Sequence, residues 1–357
     1  MAAERPRIPL APALIGLGSL VVLLVIASVA WGRTGRLGMT EATRGILAAL
    51  GLVEDDGLAA AKASLRLWQA LTTAGVGAAM ALAGALLQGI FRNGLAAPSI
   101  IGVTGGASLG AAGAVLVLGG YAPTFVSSGA QGHAHLAVAA ASFIGALGVT
   151  ALIVSLATRA GRISVPTLLL AGIAVNACCG GLLALIQAIT QQDYEIARAI
   201  FLWTFGSLED KAPVHAASIG GALLAALLAI PFLATELDLF AGGEDDARGL
   251  GVRPERTKAL AIIVATLLAA VSVAVAGQIV FVGLVVPHLA RILFGRSHRR
   301  LLPLVLLSGA VFLLGAEWAQ TALLGDRSLR PGVLMSLIGG PFFLSLLVSR
   351  RGELRGW

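Results

Sequence analysis

Gly277-Gln278-Ile279-Val280-Phe281-Val282-Gly283-Leu284-Val285-Val286-Pro287-His288-Leu289-Ala290-Arg291-Ile292-Leu293-Phe294-Gly295-Arg296 is the stretch on which the fold of this chain turns. It sets Gly, Pro and His inside an apolar run and closes on basic residues. A helix that only anchors a protein has no use for breakers or an imidazole at that depth, because hydrocarbon cannot hydrogen-bond the backbone they free. Proteins that carry cargo across membranes do use broken spans, where irregular backbone lines a cavity.

The rest of the chain agrees. Of 357 residues, 57% are hydrophobic and only 12% charged, and the mean hydropathy is +0.92. Soluble globular domains do not have this composition, so the chain is read as an all-α, polytopic membrane protein. The 46 glycines suit helices that approach closely in a bilayer. A net charge of +7 raises nucleic acid as a partner, but the basic residues sit in short loops as the positive-inside rule predicts, so no nucleic acid is expected. Cys178 and Cys179 are adjacent in an apolar run and read as reduced residues, without a disulfide framework. The N-terminal apolar run is a full span long with no evident cleavage site, and reads as a retained first helix.

Apolar runs long enough to span, or nearly so, fall at 10–30, 67–91, 98–119, 135–157, 166–190, 212–234, 259–277, 279–294, 301–324 and 331–348. Ten spans put both termini on one side. That side then collects Arg5, Arg7, Arg92, Arg159, Arg162, the loop 235–258, Arg296, His298, Arg299, Arg300, Arg350, Arg351 and Arg355. The other side receives 119–134, which has no Lys or Arg, and 191–211, where acids outnumber bases. The asymmetry places both termini in the cytoplasm. The first outer loop, 31–66, is long and mixed enough to carry a short surface helix.

Gly102, Gly106 and Gly110 form overlapping GxxxG motifs in the third span, and Gly77 with Ala81 is similar in the second; both read as helix packing. Gly94-Leu95-Ala96-Ala97-Pro98 and Gly283-Leu284-Val285-Val286-Pro287 look like a repeat on opposite faces, as inverted topology requires, or like chance similarity of apolar segments.

The loop 235–258 is the most polar segment. Acids follow Gly242-Gly243, then come Ala247, Arg248 and Leu250, with Gly251 at a helix end. On residues alone it is either a docking helix for a soluble partner or a solvated connector. His288 beside Pro287 is a ligand or proton relay, or it satisfies carbonyls freed near a helix break. His133 and His135 are too few for a metal site, and none is expected. Arg92-Asn93 makes an ordinary turn or one wall of a gate. No GxxxxGK[ST] is present, so the chain binds no ATP through a P-loop of its own. No catalytic triad order, HExxH or CxxC appears, and no catalytic residue is assigned. Acids are nearly absent from the spans apart from Glu317, which argues against an ion-coupled carrier and towards a pump energised elsewhere.

In order along the chain, Leu82-Ala83-Gly84-Ala85-Leu86-Leu87-Gln88, Arg92-Asn93-Gly94-Leu95-Ala96-Ala97-Pro98, Gly102-Val103-Thr104-Gly105-Gly106-Ala107, Leu168-Leu169-Leu170-Ala171-Gly172-Ile173-Ala174, Trp203-Thr204-Phe205-Gly206-Ser207-Leu208, Gly243 to Val252, Phe281 to Arg291 and Ile338 to Leu344 resemble the FecCD-type permeases of binding-protein-dependent ABC importers for iron-siderophores, haem and cobalamin. The resemblance covers about Arg66 to Leu347. It implies a cobalamin-permease-like, type II importer bundle of about ten helices, a single transmembrane domain over 1–357. It also implies an inner-membrane location and a dimer with a second copy or a paralogue in membrane lipid. Two ATPase subunits would carry ATP and Mg, with no cofactor on this chain, and a periplasmic binding protein would deliver the cargo. The segment 236–256 would be the coupling element, with Gly243, Glu244, Asp245, Ala247, Arg248, Leu250 and Gly251 meeting the ATPase. Asn93 and Leu95 would form one cytoplasmic gate, and Ser164, Val165 and Pro166 another. Arg66, Gln69, Arg327 and Arg330 would meet the binding protein. Gly283, Pro287, His288 and Arg291 carry the most specific motif.

The chain departs from the family pattern at several points. Arg66-Leu67-Trp68-Gln69 replaces Arg-Leu-Pro-Arg, Thr321 stands for a usual Arg, Gly94 and Ala97 replace Pro and an acid, Glu317 replaces Asp, and Ser328-Leu329-Arg330 replaces Glu-Leu-Pro. The expected function is an ATP-driven importer permease for a ferric chelate, haem or cobalamin. The rivals are an ion-coupled secondary transporter without an ATPase, and a membrane scaffold.

Overall fold

The computed structural model describes residues 9–32, 35–53, 57–119 and 130–349. Among them are thirteen α-helices: α1 Leu10–Ala30, α2 Met39–Ala49, α3 Leu58–Phe91, α4 Val103–Val117, α5 Ala130–Ala157, α6 Val165–Ile189, α7 Tyr194–Thr204, α8 Pro213–Phe240, α9 Glu244–Gly249, α10 Pro254–Ala276, α11 Val282–Phe294, α12 His298–Leu324 and α13 Pro331–Ser349. Seven are long and apolar enough to cross a membrane, and α4, α11 and α13 are shorter apolar helices; together they account for the ten runs. Arg5, Arg7, Arg350, Arg351, Arg355 and most of 119–134 lie outside the described residues.

The core forms around α3. Its 34 residues make a rod of about 51 Å. From Thr72 to Phe91 every residue but Gly75 is buried, against α12, α10, α8 and α11. Small residues explain the closeness. Gly77 lies on the Gly309 carbonyl of α12, and Gly106 and Gly110 lie on Gly145 and Ala141 of α5. By contrast α1, α6 and α8 turn Ile15, Leu170, Ile173, Leu228 and Phe232 outward, the pattern of helices bathed by lipid. Cys178 and Cys179 are free thiols on α6.

Several sequence-based expectations are corrected. The second span starts at Leu58, nine residues early, because α2 covers its first turns through Gly45 against Ala60 and Ala63. The third run is not one helix. Pro98–Ile101 is a 3-10 turn and Gly102, at φ +85°, is the N-cap of α4, so of the three motif glycines only Gly106 and Gly110 lie within the helix. The sixth span runs to Phe240, so Glu236 and Asp238 belong to α8 rather than to a loop. Their polarity is met by neighbours: Thr257 donates to Glu236 at 2.8 Å, and Asp238 accepts from the backbone of His298 (2.5 Å) and the hydroxyl of Ser297 (2.8 Å), capping α12. The acidic loop 191–211 contains α7, whose Ala199 and Ile200 pack on Ala111, Ala112 and Val115.

The opening stretch breaks at Gly277–Phe281 and not at its proline. Gly277 (φ +74°) ends α10, Phe281 (φ +69°) begins α11, and α11 runs unbroken through Pro287. The two repeat-like segments do not lie on opposite faces. They meet, with the site of a Gly283 Cβ 3.0 Å from Pro98 Cδ, because both pack at the same end of α3.

Candidate functional site

α9 lies between α8 and α10 at one end of the bundle. Gly243 makes the turn into it at φ +129° and ψ 162°, a conformation open to glycine and not to a side chain. Glu244, Asp245 and Asp246 fill its first turn and Arg248 its last, each sign favoured by the helix dipole. Arg248 bonds Asp245 at 3.0 Å and approaches Glu244 at 3.6 Å. The exit is closed by Gly251 N–H on Arg248 O and Val252 N–H on Ala247 O, both 3.0 Å. Ala247 and Val252 fold onto the fully buried Phe240. The other face is presented outward: the Asp245 side chain is 96% exposed and Leu250 66%.

The two segments that the resemblance makes gates, Asn93–Leu95 and Ser164–Pro166, stand at this same end. Asn93 Oδ1 accepts from Leu95 N–H at 2.9 Å, an Asx turn after the left-handed Arg92. The Arg92 guanidinium lies 3.8 Å from where a Gly243 Cβ would stand, which brings this turn beside the entry to α9. The second segment follows a hairpin of β1 Thr158–Arg159 and β2 Arg162–Ile163, turned by Ala160 and Gly161 with positive φ. Ser164 caps α6 by accepting from Thr167 N–H and Oγ1, Val165 is half-buried and Pro166 is exposed in the first helical turn.

A buried side chain that sequence reasoning left without a role ties this end together. Pro287 has no N–H, so the Gly283 carbonyl four residues earlier loses its helical donor. Gln88 Nε2 stands in at 3.4 Å, also reaching Leu284 O (3.5 Å) and, just past the Asn93–Leu95 turn, Ala96 O (3.2 Å). Its Oε1 accepts from Arg291 Nη1. Gly283 and Arg291 of the signature motif thus converge on Gln88, while His288 packs edge-on against Phe342, centroids 6.2 Å apart. An amide in an otherwise apolar span was the available signal.

The residues assigned to binding-protein docking lie at the opposite end of α3. Arg66 is 25 residues before Phe91, about 38 Å along the helix. It is turned inward: its guanidinium donates to Val29 O (2.9 Å) and Gly35 O (2.8 Å), fixing the exit of α1. Gln69 lines a cavity of about 290 Å³ with Lys62, Arg66, Asp210 and Glu317. Gln320 holds Leu329 by both backbone groups, at 3.0 and 3.2 Å, and so sets the loop of Arg327 and Arg330. Arg327 is exposed, whereas Arg330 is half-buried beside Lys211, His135 and His215. The His133 side chain lies outside the described residues, and among those described no group of three His, Cys, Asp or Glu could hold a metal.

Lys211, in the connection before α8, donates to Val275 O at 2.8 Å. Burial pulls its pKa from 10.5 to about 8; Asp210 and Glu209 oppose the shift and Arg330 adds to it. Between these values the unfolded chain holds a proton that the folded chain has released, so stability rises with pH from about 8 towards 10.5. Thermal unfolding of the detergent-solubilised chain is expected to show this upward slope, and Lys211→Met to lack it.

Ten apolar helices, with the short acidic helix α9 and two turns gathered at one end, define a polytopic membrane protein of the transport-permease class. The chain belongs to the FecCD transport family, whose pattern matches residues 15–349. It is similar to the hemin transport system permease protein of Yersinia pestis, 34% identical over 341 residues that cover 95% of this chain and 97% of that protein. It is also similar to the cobalamin import system permease protein of Halobacterium salinarum, 37% identical over 293 residues, covering 80% of this chain and 73% of that one. The Fe(3+) dicitrate transport system permease protein of Escherichia coli is 36% identical over 278 residues, covering 77% of this chain and 81% of the relative. Among solved structures, an inward-facing metal-chelate type ABC transporter matches with a TM-score of 0.78 and 28% identity, over 95% of this chain and 99% of that one.

Proposed function

We propose that this permease is the membrane subunit of an ATP-driven importer for a bulky metal chelate or metallated tetrapyrrole, in the class of haem, cobalamin and ferric chelates. The observation that carries the reading is α9: a short helix anchored by Ala247 under Phe240, presenting Asp245 and Leu250 outward, beside both gate segments. The three similar permeases take cargo of this class by name. The α9 end is the cytoplasmic one, because Arg92, Arg159, Arg162, Arg253, Arg256, Arg299 and Arg300 collect there. The ATPase is a separate subunit, since the sequence has no P-loop of its own. A second copy or a paralogue completes the path, and a binding protein delivers cargo at the Arg66–Arg327 end.

The test is ATP hydrolysis in proteoliposomes by this chain assembled with its ATPase and binding protein, with hemin, cobalamin or ferric dicitrate added. Stimulation by one cargo is expected in the wild type. Asp245→Lys/Leu250→Asp, which touches only the outward face, is expected to lose that stimulation by at least about tenfold while the permease keeps its thermal midpoint. Uptake that follows an ion gradient without the ATPase would overturn the reading in favour of a secondary carrier.

A further inference from the structure

The structure assigns a positioning role to Glu255 and Lys258: we propose that they clamp the backbone of Ile163 and so transmit movement of α9 to the gate segment Ser164–Pro166. The inference rests on the proposed roles of α9 and of that segment. Ile163 is buried and is the last residue before Ser164. Its N–H donates to Glu255 Oε2 at 2.7 Å, and its carbonyl accepts from Lys258 Nζ at 3.2 Å. Two side chains one turn apart on α10 thus hold both polar groups of a single residue.

The same lysine reaches α9. Lys258 is 3% exposed, and its ammonium lies 2.5 Å from Glu244 Oε1 and 3.5 Å from Glu255 Oε1. Arg248 of α9 lies 3.9 Å from Glu255 Oε1. A continuous path therefore runs from α9 through Glu244 and Lys258 to the backbone preceding Ser164. Stability alone is a poor reason for it. Burying an ammonium costs several kcal/mol that its partners at best return, whereas fixing one arrangement of several is the better-attested use of buried ions. The hairpin is already closed by its own pairing and by Ser164 N–H on Ala157 O at 3.0 Å. What the clamp adds is a fixed relation between α9, α10 and the gate segment.

Polarity makes the inference specific. Glu255 must accept and Lys258 must donate, so exchanging the two keeps an ion pair yet opposes both groups of Ile163. The experiment compares cargo moved per ATP hydrolysed in the reconstituted complex, using whichever of hemin, cobalamin or ferric dicitrate the wild type takes up. Glu255→Ala and Lys258→Met are expected to assemble with the ATPase and to hydrolyse ATP, with transport per ATP lowered at least about fivefold. Glu255→Gln and Lys258→Arg, which keep an acceptor and a donor, are expected to stay within about twofold of wild type. Glu255→Lys/Lys258→Glu is expected to be as uncoupled as the single losses. Should the exchange restore coupling, or Glu255→Ala keep wild-type transport per ATP, or Glu255→Ala and Lys258→Met both fail to assemble, the clamp is overturned. A wild-type complex without coupled hydrolysis would instead overturn the importer reading.

Discussion

Gly84→Ala is expected to destabilise the permease by about 3 kcal/mol or more, at the upper end of what overpacking costs. An added Cβ would overlap the carbonyl of Gly283, with that residue's Cα at 2.7 Å, so the obstacle is backbone and cannot rotate away. Nor can α11 retreat. The Cβ position of Gly283 is 2.8 Å from Met80 O and 3.0 Å from Pro98, which leaves the start of α11 pressed between α3 and the 3-10 turn. A thermal midpoint lowered by about 5 °C or more, followed by fluorescence size-exclusion in detergent, is the expected reading. Gly148→Ala is the control: its added methyl meets nothing within 4 Å, and its helix should gain slightly. An unchanged midpoint for Gly84→Ala would mean that α3 and α11 part freely at this crossing.

Gln88→Leu is expected to cost about 2–4 kcal/mol, from a lost charge-assisted bond and buried carbonyls left without a donor. The leucine fills the space but leaves the Arg291 guanidinium without its Oε1 acceptor and Gly283 O facing the proline that cannot serve it. Gln88→Glu separates the two roles. It keeps an acceptor for Arg291 and loses the donor to Ala96, Gly283 and Leu284, so it should fall between leucine and wild type. Thermal midpoints of the three proteins, ranked in that order, check the assignment. If leucine matched wild type, the bonds around Gln88 would carry no net energy.

Much of the fold was legible because hydrocarbon imposes a simple rule: every span must be apolar and long enough. Each of the ten runs holds an apolar helix, although the second starts at Leu58, the third opens with a 3-10 turn at Pro98–Ile101 and the sixth runs on to Phe240. Part of what was not legible had one physical cause, polar groups whose partners lie far away in sequence. Glu236 and Asp238 looked like loop residues until Thr257 and the start of α12 were seen to satisfy them. Arg66 looked available for a partner, yet it serves Val29 and Gly35. Gln88 answers to a proline 199 residues on, which no local pattern announces. The outward residues of α9 were readable, since acids, Arg248 and glycines mark a short helix by themselves. Glu255 and Lys258 were not, because their partner is the backbone of Ile163, more than ninety residues earlier.

The ends of α10 carry a mechanical meaning. At one end Glu255 and Lys258 grip Ile163; at the other, Val275 O is held by Lys211 and Ala276 O by Ser207 N–H at 2.9 Å. The whole helix, 23 residues, makes a stiff lever of about 34 Å. A tilt of only about 5° about the gripped end sweeps the far end through about 3 Å, roughly the length of a hydrogen bond. A rod tied at both faces cannot let one face yield alone. On the proposed importer reading, opening towards one compartment and closing towards the other would be a single motion of one helix, with leakage opposed by geometry before any gate residue is called on.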